Sequence, residues 1–180
     1  RYCDTLGCDN PLTIYDTCKR LAQETGLDIE IHCHGDLGMA VANSVAGAMG
    51  VIDGGQDAYI NTTINGIGER AGNADLVTTV LALKYSKGLA KKYRLGQPIH
   101  LSGAWKICKY ASYAFGVPIS INQPGVGSNI FAHASGIHAD GVLKDPQNYE
   151  LFSFRELGRG DPEVVETGRE IASGQYSGIS

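Results

Sequence analysis

The fold of this chain is decided by the stretch Leu27-Asp28-Ile29-Glu30-Ile31-His32-Cys33-His34-Gly35-Asp36. Its apolar residues alternate with polar ones, which is the period of a β-strand, where successive side chains point to opposite faces. One face is aliphatic, and the other carries His32 and His34 side by side at the far end. This pattern suits a strand of a closed parallel barrel, whose outer face is covered by helices and whose C-terminal end carries the chemistry.

The two histidines are a candidate metal site. Imidazoles at positions i and i+2 can reach one divalent ion at metal–nitrogen distances of about 2.1 Å. An H-x-H pair alone is a weak motif, but Gly35-Asp36 predicts the start of a helix that runs to about Gly50. The pair then lies at a strand-to-helix junction, where α/β folds hold their ligands. Zinc, magnesium and manganese all remain open, since imidazole suits zinc and oxygen ligands suit the harder ions.

The first part of the chain repeats a strand–loop–helix rhythm. A strand tail at Arg1–Gly7 leads to a helix that begins near Pro11 and ends at Gly26, and the histidine strand and its helix follow. Residues 58–65 predict a third strand that ends in Asn65 beside the histidines, and residues 74–89 predict the next helix. Three such units, spaced by about 30 residues, are typical of a parallel sheet. They would be the last three βα units of an eight-stranded TIM barrel.

The rhythm stops at about Gln97. We therefore predict two domains, a partial barrel over residues 1–96 and a mostly helical subdomain over residues 97–180. Its clearest element is a helix over residues 101–115, in which Trp105 is expected to pack at the subdomain or dimer contact. We expect this second part to be an arm that packs on a neighbouring subunit.

Composition excludes several classes of function. The chain has 180 residues, of which 43% are hydrophobic and 19% charged, and its net charge is −4. A run of Lys or Arg is absent, which argues against nucleic acid or an anionic membrane as a partner. Apolar stretches fall well short of the roughly 20 residues that a membrane span needs.

Five cysteines without a C-x-x-C pair favour reduced core thiols and a cytoplasmic location. Because the chain opens on Arg1, we expect it to be part of a longer protein.

Four sequence blocks resemble one known family. They are DTLG (Asp4–Gly7), HCHGDLG (His32–Gly38), NGIGERAGNA (Asn65–Ala74) and HASGIHADGVLK (His133–Lys144). Together they resemble the homocitrate synthase and 2-isopropylmalate synthase family, metal-dependent enzymes built on a TIM barrel with helical C-terminal subdomains. The resemblance implies a Claisen-type condensation of acetyl-CoA with a 2-oxo acid and release of CoA.

The resemblance also implies roles for particular residues. His32 and His34 would bind the metal, and Asn65 would face it directly or through water. Thr5 would hold the carboxylate of the 2-oxo acid. His138 and Tyr149 would be catalytic residues carried on the arm of the other subunit of a homodimer.

Two features depart from the family pattern. Gly35 stands where the family has Asn before Asp36, and the family's first barrel strand, with its Asp ligand and Arg, has no counterpart here. We therefore expect this chain to be inactive without an N-terminal half. The acceptor is expected to be 2-oxoglutarate or oxaloacetate, with 2-oxoisovalerate as the alternative. A metal-dependent lyase of the same superfamily, or a half-enzyme subunit that needs an N-terminal partner, are the other interpretations.

Overall fold

A computed structural model describes residues 1–133 and 135–160 of the chain. It divides the chain into two compact units, Arg1–Ile99 and His100–Ser180. The domains predicted from the sequence, 1–96 and 97–180, stay a prediction, because residues 161–180 lie outside the described part. Within the described residues, no helix is both long and apolar enough to cross a membrane.

The first unit is an α/β structure with a parallel sheet. Its strands follow the spatial order β1-β2-β3 and are separated along the chain by helices. The strands are β1 (Tyr2–Asp4), β2 (Ile29–Cys33) and β3 (Ala58–Asn61). The helices are α1 (Pro11–Thr25), α2 (Ala40–Asp53), α3 (Leu76–Tyr85) and the single turn α4 (Leu89–Lys92). The predicted α/β class with a parallel sheet is confirmed, and closure into a barrel stays a proposal.

Helix α1 follows its sequence signals closely. The Asn10 side chain accepts hydrogen bonds from the backbone N–H groups of Leu12 and Thr13, and the Thr13 hydroxyl accepts one from the Asn10 N–H in return. This capping box satisfies donors that the first helical turn leaves open. Gly26 ends the helix in the left-handed conformation at φ 65°, as predicted.

The aliphatic face of β2 is buried, as predicted. Ile31 and Cys33 are fully buried, and Ile29 is 7% exposed. They share a core with residues of α1 and α2. Gly50 lets these two helices approach closely, since a Cβ there would lie 2.2 Å from the backbone oxygen of Tyr15.

Helix α2 begins later than predicted. The expected start was Asp36, but the chain first makes a turn in which the Gly38 N–H donates to the Gly35 carbonyl, and the helix begins at Ala40. Gly38 has φ 75°, and the Asp36 side chain is bound to Arg70 instead of capping the helix. The helix continues to Asp53, beyond the expected end near Gly50.

The third strand is shorter than predicted. It ends at Asn61, and residues 64–66 form a 3₁₀ turn, so Asn65 does not lie on the strand. The Thr63 N–H donates to the Ala74 carbonyl, so the backbone bonds with the segment before α3 instead. The helix predicted over 74–89 begins at Leu76, behind the cap residue Asp75, and its end is interrupted before α4.

The second unit has a cluster of its own around Arg159. The guanidinium lies 4.2 Å from the Trp105 ring centroid and 4.9 Å from that of Phe154, and it donates to the Gly127 carbonyl. Phe131 stacks on Phe154 with centroids 4.0 Å apart. This cluster holds the ring of Trp105 within the second unit.

The described part of the second unit contains two helices and a 3₁₀ turn, Pro146–Asn148, that is followed by Tyr149. Helix α5 (Ala104–Phe115) follows a 3₁₀ turn at Leu101–Gly103, so the helix predicted over 101–115 starts three residues late. Helix α6 (Gly136–Lys144) lies in the block that contains His138.

Candidate metal centre

The two histidines of β2 face each other through their ring nitrogens. His32 Nε2 and His34 Nε2 are 3.2 Å apart, and the rings are nearly perpendicular, at 88°. Two nitrogens that bind one ion at about 2.1 Å, with an angle of about 90–110° between the bonds, lie about 3.0–3.4 Å apart. The pair therefore has the spacing of two ligands of one ion. It lies where β2 ends, at the C-terminal edge of the parallel sheet.

Asn73 lies beside the two ring nitrogens that face each other. His34 and Asn73 form a backbone bridge, and Asn73 Nδ2 lies 3.5 Å from His32 Nε2 and donates to the Cys33 carbonyl. Sequence reasoning named Asn65, which the structure places in the 3₁₀ turn with a left-handed φ of 60°. The metal role of Asn65 stays a prediction. The sequence signal for Asn73 was its place in the same NGIGERAGNA block.

A chain of side-chain hydrogen bonds runs across the polar face of the sheet. Asn61 is in register with His32 on the neighbouring strand, and its Oδ1 lies 2.9 Å from His32 Nδ1. Its Nδ2 donates to Glu30 Oε1 at 2.9 Å. Arg1 donates to both oxygens of Glu30, at 2.7 and 3.0 Å. The bonds from Arg1 and Asn61 lower the pKa of Glu30, so this carboxylate stays ionised at neutral pH.

The loops that follow the three strands are joined by one arginine. Arg70 Nε and Nη2 donate to the two oxygens of Asp36 at 2.9 and 2.8 Å, and Nη2 also donates to the Thr5 carbonyl at 2.6 Å. The paired guanidinium lowers the pKa of Asp36. Thr5 follows β1, Asp36 follows β2 and Arg70 follows β3, so this contact orders the loops at one edge of the sheet.

The described residues supply an incomplete metal site. Within them, no group of three or more His, Cys, Asp or Glu side chains has the arrangement of a metal site. A protein site of this kind uses at least three protein ligands. His34 is 6% exposed, and its Nδ1 has no hydrogen-bond partner among the described residues. The donor set fits a metal ion, with at least one ligand to come from outside this set.

The predicted catalytic residues of the second unit lie together. The rings of His138 and Tyr149 have centroids 4.3 Å apart and are tilted by 31°. The Tyr149 ring packs on Gly141, where a Cβ would lie 2.3 Å from it. Beside them, His133 and Glu150 form a pair at 3.3 Å. Tyr149 also lines a cavity of about 730 Å³ over residues 146–153 and 156.

Comparisons with known proteins give two family matches. Residues 1–103 match the family model described as HMGL-like, and residues 126–175 match one described as homocitrate synthase post-HMGL domain-like.

Three curated relatives illustrate the range of similar proteins. A citrate (Re)-synthase of Dehalococcoides mccartyi is 71% identical over 180 residues, which is 100% of this chain and 43% of that protein. A 2-isopropylmalate synthase 2 of Caldanaerobacter subterraneus is 40% identical over 180 residues, 100% of this chain and 42% of that protein. A homocitrate synthase of Pyrococcus horikoshii is 39% identical over 156 residues, 87% of this chain and 40% of that protein. The chain thus spans less than half the length of these relatives.

Proposed function

Since this chain belongs to the HMGL-like family, we propose that it is the C-terminal part of the catalytic region of an enzyme that condenses acetyl-CoA with a 2-oxo acid and releases CoA. The observation that carries the proposal is the pair of imidazole nitrogens, 3.2 Å apart at the C-terminal edge of a parallel sheet. In barrels of parallel strands this edge carries the catalytic groups. The complete barrel would be closed by strands outside this chain.

Oxaloacetate is the acceptor that we propose, with citrate as the product. The support is the 71% identity to a citrate (Re)-synthase over the whole chain, against 40% and 39% for the 2-isopropylmalate and homocitrate synthases. 2-Oxoglutarate and 2-oxoisovalerate are the competing acceptors, and a lyase is the competing activity.

The first unit would bind and orient the 2-oxo acid. A divalent ion held by His32 and His34 would supply Lewis-acid polarisation of the ketone. Thr5 is exposed, and the contact of its carbonyl with Arg70 fixes its loop, so its hydroxyl is available to donate to the carboxylate of the acid. At this edge of the sheet, the side chains of the protein therefore act by binding and orienting the 2-oxo acid.

The second unit would move the proton. His138 is exposed and lies against Tyr149, and an imidazole is the usual side chain for proton transfer near neutral pH. In our proposal a ring nitrogen of His138 accepts the α-proton of acetyl-CoA, while the Tyr149 hydroxyl donates a hydrogen bond nearby. The C–H bond electrons become the enolate, which forms a C–C bond to the ketone carbon, while the C=O π electrons of the ketone move to its oxygen. That oxygen takes up the proton from the His138 imidazolium, and water then cleaves the thioester to release CoA.

We further propose that the protein is a homodimer in which His138 and Tyr149 of one subunit act in the active site of the other. The second unit exposes aromatic side chains along α5, with Tyr110 69% and Tyr113 86% exposed. Aromatic residues of this kind are enriched where protein surfaces meet.

The test is an assay of the full-length protein. CoA release is measured with acetyl-CoA and a panel of oxaloacetate, 2-oxoglutarate and 2-oxoisovalerate, and bound metal is measured by elemental analysis. His32→Ala and His34→Ala should abolish turnover and strip the metal, whereas His100→Ala, a matched change at an exposed histidine, should do neither.

The following results would refute or support separate parts of the proposal. Retention of stoichiometric metal by the double variant His32→Ala/His34→Ala would refute the metal site. Absence of CoA release with every acceptor would refute the condensing activity. This chain expressed alone should be inactive, and its activity should return when the N-terminal half is added.

A further inference from the structure

The hydrogen bonds on the polar face of the sheet have a defined direction. Arg1 donates to both oxygens of Glu30, and Asn61 approaches one of these oxygens from the other side. A carboxylate in a forked pair with a guanidinium accepts hydrogen bonds and has no hydrogen to donate. The group that Asn61 turns toward Glu30 must therefore be its NH₂ group.

The orientation of the Asn61 amide determines which ring nitrogen of His32 carries the hydrogen. With the NH₂ group of Asn61 on Glu30, the carbonyl oxygen faces His32 Nδ1 at 2.9 Å. The reverse orientation would place the carbonyl oxygen against the carboxylate, two acceptors at hydrogen-bond distance. A carbonyl oxygen only accepts, so His32 Nδ1 must carry the hydrogen.

The other ring nitrogen of His32 then bears a lone pair. In a neutral imidazole one nitrogen is protonated and the other accepts, so Nε2 points its lone pair toward His34 Nε2. The NH₂ group of Asn73, which is 3.5 Å from this nitrogen, is a donor and agrees with that assignment. His34 differs, because its Nδ1 is buried without a partner among the described residues. His32 is thus the ligand whose tautomer is set in advance.

We propose that Asn61 and Glu30 are positioning residues that hold His32 as its Nδ1–H tautomer, with the Nε2 lone pair presented to a divalent ion. The inference rests on the proposed function, because it takes the pair of histidines as metal ligands. A hydrogen bond to the second ring nitrogen of a metal-binding histidine fixes the ring and raises its basicity as a ligand. Here the amide of Asn61 links the imidazole of His32 to the carboxylate that pairs with Arg1.

The first measurement reads the tautomer of His32 in the wild-type network. The metal-free full-length protein is labelled with ¹⁵N-histidine, and long-range ¹H–¹⁵N spectra report which ring nitrogen carries the hydrogen. The signal that disappears in His32→Gln assigns His32. We expect the Nδ1–H tautomer. The Nε2–H tautomer in the wild-type protein would overturn the inference.

The second measurement titrates the metal-free protein with Co²⁺ and follows the ligand-field absorption. Asn61→Leu, which removes the hydrogen bonds at similar volume, should weaken Co²⁺ binding about 10- to 100-fold. The swap Glu30→Gln/Asn61→Asp reverses the donor and acceptor between the two side chains and still offers an oxygen to His32 Nδ1. It should recover most of the affinity, and the matched control Asn129→Leu should retain all of it.

The outcomes separate the inference from the proposed function. Wild-type Co²⁺ affinity in Asn61→Leu would overturn the positioning role, and so would a swap variant as weak as Asn61→Leu. Absence of Co²⁺ binding in the wild-type protein would count against the proposed metal enzyme. The tautomer of His32 in the metal-free protein would still decide whether Asn61 sets it.

Discussion

Replacing Gly50 by alanine tests how tightly the two helices behind β2 are packed. A Cβ at Gly50 would lie 2.2 Å from the backbone oxygen of Tyr15, so α1 and α2 must move apart to admit it. Gly47 lies on the same helix and provides a matched control. Its Cβ would meet Ile31 Cδ1 at 3.2 Å and Ile14 Cγ1 at 3.4 Å, which are side-chain atoms and not backbone atoms.

Replacement of glycine by alanine should change the free energy of unfolding differently at Gly47 and Gly50. Exchanging a helical glycine for alanine gains about 0.5–1 kcal/mol from helix propensity. Overpacking a core costs about 1–3 kcal/mol, with the high end expected where the clash is with backbone. At Gly47 the gain and the cost nearly cancel. At Gly50 we expect a net loss of about 2 kcal/mol.

Thermal unfolding of the full-length protein measures this difference. For a domain of 150–250 residues, the size expected of the barrel in the full-length protein, each 1 kcal/mol lowers Tm by about 2–4 °C, so a loss of about 2 kcal/mol lowers it by about 4–8 °C. Gly50→Ala should therefore unfold several degrees below both the wild type and Gly47→Ala. A Tm for Gly50→Ala at or above that of Gly47→Ala would show that the helices are not in the close contact described.

Three further changes test other contacts. Arg70→Lys cannot reproduce the forked contact and should raise KM for the 2-oxo acid about tenfold, whereas Arg20→Lys on an exposed helix face should not; equal values would refute the loop-ordering role. The pKa of Asp53 is lowered, chiefly by a hydrogen bond from Lys92. The contribution of this carboxylate to stability is therefore present at neutral pH and is lost as pH falls through that lowered pKa. The Tm of Asp53→Asn should therefore fall less than that of the wild type between about pH 5 and pH 2, and an identical fall would contradict this. His138→Ala should lower kcat by about 10²–10⁴-fold at unchanged metal content, and loss of metal, or wild-type turnover, would make His138 structural.

Local patterns in the sequence predicted the elements whose signals are local. The alternation of β2 placed its two faces correctly, and the bounds of α1 followed from Pro11 and Gly26. Helix α2 was predicted to begin too early because Asp36 looks like a helix cap. In the fold its carboxylate binds Arg70, which is distant along the chain, and no local signal reports that contact.

The same limit explains the outcome at the candidate metal centre. The sequence predicted a third strand beside the histidines, and Asn61 of that strand contacts His32. The direction of its amide depends on Glu30 and Arg1, which only the register between strands brings together. Asn73 reaches the pair through a backbone bridge to His34 that follows a turn. Neither contact could be derived from spacing along the chain.

The cysteines show how burial overrides residue type. Cys18, Cys33 and Cys108 are fully buried, as predicted for core thiols, but Cys3 and Cys8 are exposed. The sequence gives no difference in kind between these two groups, because the distinction depends on which face of an element packs against a neighbour.

Cys33 shows why the candidate centre lies on one face of β2 only. It stands between His32 and His34 in the sequence, yet it is fully buried on the opposite face, and burial raises its pKa to about 11. A thiol that stays protonated at neutral pH and faces the core is not a metal ligand. A slip of one residue would exchange the faces of the strand. It would expose Ile29 and Ile31, at about 1.5–3 kcal/mol for each, and place two imidazoles in the apolar core. The burial of the aliphatic face therefore determines where the two histidines point.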